Sequence, residues 1–449
     1  MDKLEEFIRE HKITEVECLV PDMAGIARGK IIPADKLLRI LRERGMPLPE
    51  SVFAQTVTGN YPDELDEHIS PTYGDVYLTP DEATVRFVPW YQEPTAQIIC
   101  DAFYSDDTPV PLSSRQLLKM IVKEYDKRGW TPVVAPELEF YLVAVNTDPD
   151  IPLQPPVGRT GRQEIGRQAY GIDAVNEFDP VFEDVYDYCE KQNIDIDTLS
   201  HEAGAAQIEV NFNHGDPVEL ADQAFLFKRT SREVAIRHGV YATFMAQPMQ
   251  TEPGSAMHIH QSVVSKKTGK NIFATDAGHD SQLLRHYVGG LQRYLPYAIP
   301  LFAPNVNSYR RFGHKETDSP INVEWGVDNR TAGLRIPVSK PENRRIENRL
   351  PGADGNPYLT IASTLACGLL GMIEEIEPSE QIKGSAYKKG HTLPSSLTDA
   401  LKKFKSCKPL SNLLGERFVK TYVAIKEAEY KAYNTVISSW ERENLLLNV

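Results

Sequence analysis

The stretch Pro136-Glu137-Leu138-Glu139-Phe140-Tyr141-Leu142 decides how the rest of the chain is read. Side chains alternate between the two faces of a strand, so Glu137 and Glu139 share one face while Leu138 and Phe140 share the other. One face is fit for a core. The other carries two neighbouring carboxylates, which repel unless a cation lies between them. A half-exposed edge strand would show the same alternation, so the segment needs company.

Three more segments supply it. In His201-Glu202-Ala203-Gly204-Ala205-Ala206-Gln207-Ile208-Glu209-Val210-Asn211-Phe212, Glu209 sits on an alternating strand. Glu202 precedes a small-residue loop that can fold back toward it. In Pro253-Gly254-Ser255-Ala256-Met257-His258-Ile259-His260-Gln261-Ser262, the same period of two puts His258 and His260 on one face. In Arg344-Arg345-Ile346-Glu347-Asn348-Arg349-Leu350, a stripe of Arg345, Glu347 and Arg349 alternates with Ile346, Asn348 and Leu350. Taken singly, these have plainer readings: a pair of glutamates, structural histidines, a salt-bridge ladder. Together they offer five glutamates and His258 on strand-like elements, which suits two hard divalent cations. Oxygen-rich ligation favours Mg²⁺ or Mn²⁺, whereas zinc wants more nitrogen or sulfur. Arg311, Arg330, Arg335, Arg345 and Arg349 more than offset the surplus negative charge, an excess suited to phosphates and substrate carboxylates.

Working outward, strands are expected over Val133–Val143, Gln207–Asn213, Met257–Gln261 and Arg344–Leu350. Helices are expected over Leu220–Arg237, Leu283–Ala298, Tyr358–Glu375 and, with few breakers, Leu414 to about Leu446. The N-terminal hundred residues read as short strands and turns, including Glu17–Val20, Ile31-Ile32, Val85–Val88 and Gln97–Cys100. A Pro-rich linker at 104–111 precedes a helix that Ser113 or Ser114 would cap. The expected division is a domain of residues 1–107 and a larger one of residues 108–449. Gly25-Ile26-Ala27-Arg28-Gly29-Lys30 is one residue short of a P-loop and reads as a turn between strands, so nucleotide binding has to come from another architecture.

The 449 residues suffice for two domains with a substantial core. A net charge of -14 argues against nucleic-acid binding, which needs clustered Lys and Arg. No run approaches the ~20 apolar residues that span a bilayer. The first residues, MDKLEEFIREHK, lack the apolar core of a secretory signal. Five scattered cysteines without a CxxC pair fit free thiols in a reducing cytoplasm.

The four acidic and basic segments, in this order, resemble the signature set of the glutamine synthetase family. Asn305-Val306-Asn307-Ser308-Tyr309-Arg310-Arg311, Asn329-Arg330 through Arg335-Ile336-Pro337, and Asn356-Pro357-Tyr358-Leu359 extend the likeness, which runs from about Pro21 to Gly415. The resemblance implies an α+β chain: a small N-terminal β-grasp-like domain, then a large α/β catalytic domain whose antiparallel sheet lines the active site. It implies a homo-oligomer of stacked rings, a dodecamer, with sites shared between subunits. Glu137, His258 and Glu347 then resemble the ligands of the metal escorting the ATP phosphates, and Glu139, Glu202 and Glu209 those of a second metal. Gly254 and Arg311 resemble the glutamate contacts. Arg330 and Arg349 match the arginines around the transferring phosphoryl group. Asp197, His260, Ser262, Arg335 and Arg345 match nucleotide contacts.

The sequence departs from the ammonia-using members. Their F-D-G-S-S run is here Val52-Phe53-Ala54-Gln55-Thr56-Val57-Thr58-Gly59-Asn60, with Gln55 or Thr56 where the ammonium-binding aspartate belongs. The flap Phe312–Pro320 is one residue longer, leaving Glu316 and Asp318 as alternative flap acids. The family's asparagine before Gly254 is Pro253, and Tyr387 lies too far from Leu393-Pro394 to match the adenylylated tyrosine. These features resemble the γ-glutamylpolyamine (γ-glutamylputrescine) synthetase branch, as do Pro21–Lys30, Ser51–Ala54 and Ala242–Ala246. The expected partners are glutamate and a small amine or polyamine such as putrescine or spermidine, in polyamine breakdown. The run Tyr61–Glu67 is either a solvated loop or a seat for a distal ammonium. An ammonia-using glutamine synthetase and an inactive scaffold are the alternatives.

Overall fold

The computed structural model describes residues 2–43, 45–63, 74–165, 168–313, 319–389 and 392–449. The flap acids Glu316 and Asp318 lie outside these residues, as do Glu64, Leu65, Asp66 and Glu67 of the acidic run.

Six strands form the first sheet: β1 (Glu15–Pro21), β2 (Ala27–Pro33), β3 (Met46–Leu48), β4 (Val76–Pro80), β5 (Arg86–Phe87) and β6 (Thr95–Phe103). Their order is β2-β1-β6-β4-β3, with β5 beside β6; β1 and β6 run parallel, as in a β-grasp arrangement. The Walker-like run does not lie wholly in the turn. Gly29 and Lys30 belong to β2, where a side chain at Gly29 would overlap the Cys18 carbonyl on β1. Close strand approach, not phosphate binding, accounts for that glycine.

The second sheet has eight strands: β7 (Trp130–Ala144), β8 (Ile196–His201), β9 (Gln207–Phe212), β10 (Val240–Thr243), β11 (Met257–Ser265), β12 (Trp325–Val327), β13 (Leu334–Ile336) and β14 (Ile346–Asn348). The order is β12-β13-β14-β11-β7-β9-β8, with β10 paired to the far end of β7. Every pairing is antiparallel except β12 with β13. Strand β14 is shorter than the expected Arg344–Leu350, because pairing with β11 and β13 ends where the chain turns into Pro351.

Helices pack on the apolar face of this sheet. They include α1 (Ser114–Asp126), α2 (Pro217–Arg237), α3 (Gln282–Phe302) and α4 (Pro357–Ile373). Ser113 accepts from the Gln116 amide and so caps α1. Phe140 of β7 and Phe212 of β9 stack against Phe227 of α2, which fixes the inward face of the sheet. Asn356 caps α4 by accepting from the Tyr358 and Leu359 amides, and its own amide donates to the Asp22 carbonyl of the first sheet's hairpin. Buried Arg115 of α1 also ties helix α2 to the first sheet. Its guanidinium donates at 2.8 Å to Asp81, Asp101 and Asp222.

The C-terminal run is not one helix. It is broken at 434–438, leaving helices at Glu416–Tyr433 and Ser439–Leu445, and Gly415 (φ 94°) at its start separates it from a helix at Lys408–Leu414. A left-handed glycine ends a helix with little strain, a cue that apolar periodicity alone overrides. All five cysteines are free and buried. Among the described residues no helix is long and apolar enough to cross a membrane.

Candidate active site

Register builds the site. Across β7 and β9, Glu139 lies opposite Glu209; across β7 and β11, Glu137 lies opposite His258; across β14, Glu347 lies opposite His260 and Arg335. Pleating then turns these acidic side chains to the face away from Phe140 and Phe212. Glu202 reaches them from the loop between β8 and β9. This loop is held by hydrogen bonds from the Gly204 amide to Gln207 Oε1 (2.9 Å) and from the Ala205 amide to Glu252 (3.0 Å).

Glu137, Glu139, Glu202, Glu209, His258 and Glu347 all line one cavity of about 440 Å³, together with Gly254, Arg311, Arg330 and Arg349. A second cavity of about 430 Å³ is lined by Asp197, His260, Ser262 and Arg345, with Asn213, His214 and Glu342 at its walls. Glu137 lines both cavities. Arg335, expected with the nucleotide contacts, lies instead in the first cavity, where Nη1 donates to Glu347 Oε2 at 2.8 Å. Its register opposite Glu347 on β14 puts it there.

The electrostatics fall into two halves. Burial would raise the Glu137 carboxyl, but hydrogen bonds with His258 (3.3 Å) and His260 (2.7 Å) outweigh it and hold it well below the usual carboxylate range. Burial likewise opposes ionisation of Glu347, and neighbouring Arg349, bonded at 2.6 Å, brings it down to about 2. Glu139 behaves oppositely: burial and the charges of Glu202 and Glu209 drive it well above its ordinary value. Glu209 is pushed up to about 7 by burial, then by Glu137 and Glu202.

Three carboxylates crowded this way suit a divalent cation, whose charge would remove the repulsion. Ligand atoms of Glu137, Glu209 and His258 lie within 4.8 Å of one another, as do those of Glu137, His260 and Glu347. His258 Nδ1 is also 3.5 Å from Glu347. The donor set, carboxylates with one or two imidazoles, fits Mg²⁺ or Mn²⁺.

Arg311 is fully buried, and burial lowers it to about 10. It donates to the carbonyls of Leu350 (2.7 Å) and Arg349 (2.9 Å), while Nε has no partner among the described residues. Arg311 lines the first cavity, where a guanidinium is apt for a ligand carboxylate. Gly254 lies against it: a Cβ there would come 2.7 Å from both Arg311 Cγ and the Ala246 carbonyl. Tyr170, exposed at the cavity mouth with φ 60°, escaped the sequence reading. Its one cue is a tyrosine between Ala169 and Gly171 after a polar stretch.

In the loop that departs from the F-D-G-S-S pattern, Thr56 is buried and bonded within its own turn to Thr58 (3.0 Å) and the Asn60 carbonyl (3.2 Å). Gln55 donates to Tyr61. Asp63 pairs with Lys431 at 3.3 Å, both exposed.

The family model for the glutamine synthetase catalytic domain matches residues 111–445. The chain is 36% identical to gamma-glutamylputrescine synthetase PuuA of Escherichia coli (strain K12), across 96% of this chain and 92% of that one. It is 31% identical to the glutamate–isopropylamine ligase of a Pseudomonas species, across 98% and 96%. A solved structure, the GmaS/ADP complex in its conformation 1, superposes with a TM-score of 0.85 at 26% identity, covering 99% of this chain and all of that one.

Proposed function

The chain belongs to the glutamine synthetase family, and from that premise we propose that it joins the γ-carboxylate of glutamate to a primary amine at the expense of ATP. The observation that carries the proposal is the gathering of Glu137, Glu139, Glu202, Glu209, His258 and Glu347 with Arg311, Arg330 and Arg349 in one cavity. A second cavity, large enough for a nucleotide, adjoins it through Glu137.

A carboxylate and an amine do not condense at neutral pH because oxide is a very poor leaving group. In the proposed reaction a γ-carboxylate oxygen attacks the γ-phosphorus of ATP, ADP leaves, and γ-glutamyl phosphate forms. The amine nitrogen, having lost a proton, attacks the γ-carbon, and phosphate departs with the former carboxylate oxygen. Divalent ions held by the six ligands would supply charge neutralisation at the phosphates and the carboxylate.

The chain's own groups do the rest. Arg311 and the backbone at Gly254 hold the glutamate. Arg330 and Arg349 oppose charge on the transferring group. Asp197, His260, Ser262 and Arg345 seat the nucleotide. Arg335 acts from the first cavity, through Glu347. Glu316 or Asp318 takes the amine's proton. The same proposal includes domains at residues 1–107 and 108–449, and stacked rings that share their sites.

The amine is proposed to be a polyamine. Two observations support this: the loop at 55–60 carries no carboxylate, and the side chains of Gln55 and Thr56 are spent on their own turn. Ammonium offers a site only its charge and N–H bonds, so an uncharged loop weakens its hold most, whereas an alkyl amine also brings apolar surface to bury. ATP turnover measured with putrescine, spermidine, simple monoamines and ammonium tests the choice. Preference for a polyamine by a hundredfold or more in kcat/KM is expected, and preference for ammonium would assign the chain to glutamine synthesis instead.

A further inference from the structure

Gln207 is the first residue of β9, 1% exposed, and its carboxamide is surrounded by partners. Nε2 lies 3.2 Å from Glu139 Oε2 and 3.0 Å from the Gly254 carbonyl, with Ser255 Oγ at 3.4 Å. Oε1 accepts from the Gly204 amide at 2.9 Å and faces the Tyr141 hydroxyl at 3.1 Å. That hydroxyl also lies 2.8 Å from the Pro253 carbonyl, so its single proton is offered to both. The orientation of the amide is not arbitrary. A carboxylate and a carbonyl can only accept, so the NH₂ faces them; the Gly204 N–H can only donate, so the oxygen faces it.

A primary amide offers two donor hydrogens and two acceptor lone pairs at one end of the side chain. All four are engaged here, and no other side chain of this length supplies the same set without a charge. A glutamate would turn an anion toward Glu139, a carboxyl already crowded by Glu202 and Glu209. A leucine would leave Glu139, the Gly254 carbonyl and the Gly204 amide short of partners in a buried site, an expensive outcome for each.

The partners come from three elements: Glu139 from β7, Gly204 from the loop bearing Glu202, and Gly254 from the segment entering β11. We infer that Gln207 is a positioning residue that ties the glutamate-binding backbone at Gly254 to the carboxylates of Glu139 and Glu202. Gln207 lines the first cavity, but its amide hydrogens and lone pairs are taken up by these partners. It sets the distance between the wall that holds the amino acid and the acids that hold the inner metal, a distance the chemistry requires to be correct to about an ångström. The inference rests on the ligase reading above.

The test compares Gln207→Leu, Gln207→Glu and, as a milder change that keeps Gln207 in place, Tyr141→Phe. Wild-type ATP turnover with glutamate and an amine comes first; its absence would undo the ligase reading and not the role of Gln207. With that activity in hand, Gln207→Leu and Gln207→Glu are expected to raise the KM for glutamate tenfold or more and leave the KM for ATP within threefold. Tyr141→Phe should move it two- to fivefold the same way. Calorimetric titration of glutamate into protein stripped of divalent ions should show at least fivefold weaker binding in Gln207→Leu, because the Gly254 carbonyl is misplaced with or without metal. Glutamate constants within twofold of wild type in all three variants would overturn the inference. So would a uniform loss, in which both KM values and the melting temperature deteriorate together.

Discussion

Glu137 Oε1 lies 2.7 Å from His260 Nε2, and Oε2 of the same carboxylate lies 3.3 Å from His258 Nδ1. One side chain thus faces a histidine on the nucleotide side and another among the clustered acids, at the boundary of two cavities. In the proposed reaction a group in that position would meet the phosphoryl unit on its way to the glutamate carboxylate. Glu137→Ala is expected to lower amine-dependent phosphate release at least a hundredfold, matching the ~3–4 kcal/mol typical of one well-placed electrostatic group. The change also removes the bonds to His258 and His260, so a melting curve is run beside the kinetics, and a loss of phosphate release without loss of the folded state is the expected result.

Gly254→Ala is expected to act on glutamate alone. The added methyl would press on Arg311 Cγ and the Ala246 carbonyl, both at 2.7 Å, and the flexible arginine has to move. The KM for glutamate should rise tenfold or more while the KM for ATP stays within threefold, as steady-state kinetics with each substrate varied in turn will show.

Arg345 and Arg335 should separate in kinetics as they separate in space. Arg345 lines the second cavity, the proposed seat of the nucleotide, with Nε 3.2 Å from His260 Nδ1. Arg335 binds Glu347 and Asp328 instead. Arg345→Ala is expected to raise the KM for ATP about tenfold with a smaller effect on kcat. Arg335→Ala is expected to lower kcat, since it leaves Glu347 short of a neutralising partner. Equal effects on the KM for ATP would place both on the nucleotide.

How far the sequence carries can be judged from these same residues. Alternation in β7, β9 and β11 assigned Glu137, Glu139, Glu209, His258 and His260 to the correct face, because a period of two is a local property. That Arg335 lines the first cavity beside Glu347 is not legible in its motif, because its place depends on the pairing of β13 with β14. Gln207 reads in the sequence only as part of a strand. Its role lies in partners 68 and 47 residues away in the chain, Glu139 and Gly254. The expected C-terminal helix, Leu414 to about Leu446, is too long because nothing in its residues marks the break at 434–438, where no glycine or proline stands between Glu416–Tyr433 and Ser439–Leu445.

pH offers an independent test of the crowded acids. Glu209 is raised to about 7 in the folded chain, against an unfolded value of ~4.3. The folded, metal-stripped protein therefore binds more protons between those values, and its stability is present below the lower one and lost as pH rises through the upper. Glu139 shifts in the same direction. His258, lowered by burial and Arg349, opposes them, losing stability as pH falls through its unfolded value. In metal-stripped protein Glu209→Gln should give a stability profile between pH 5 and 7 that falls less steeply than wild type, by up to about one proton. Added Mg²⁺ or Mn²⁺ should raise the melting temperature more at pH 8 than at pH 5.5, because protons compete with the ion for the same carboxylates.

The decisive measurement follows an oxygen atom. Glutamate labelled with ¹⁸O in both γ-carboxylate oxygens is incubated with ATP, Mg²⁺ and putrescine, and the released phosphate is analysed by mass spectrometry. Activation of the carboxylate by phosphoryl transfer predicts one ¹⁸O in each phosphate and one retained in the γ-glutamyl amide. Unlabelled phosphate accompanying amide formation would contradict the account.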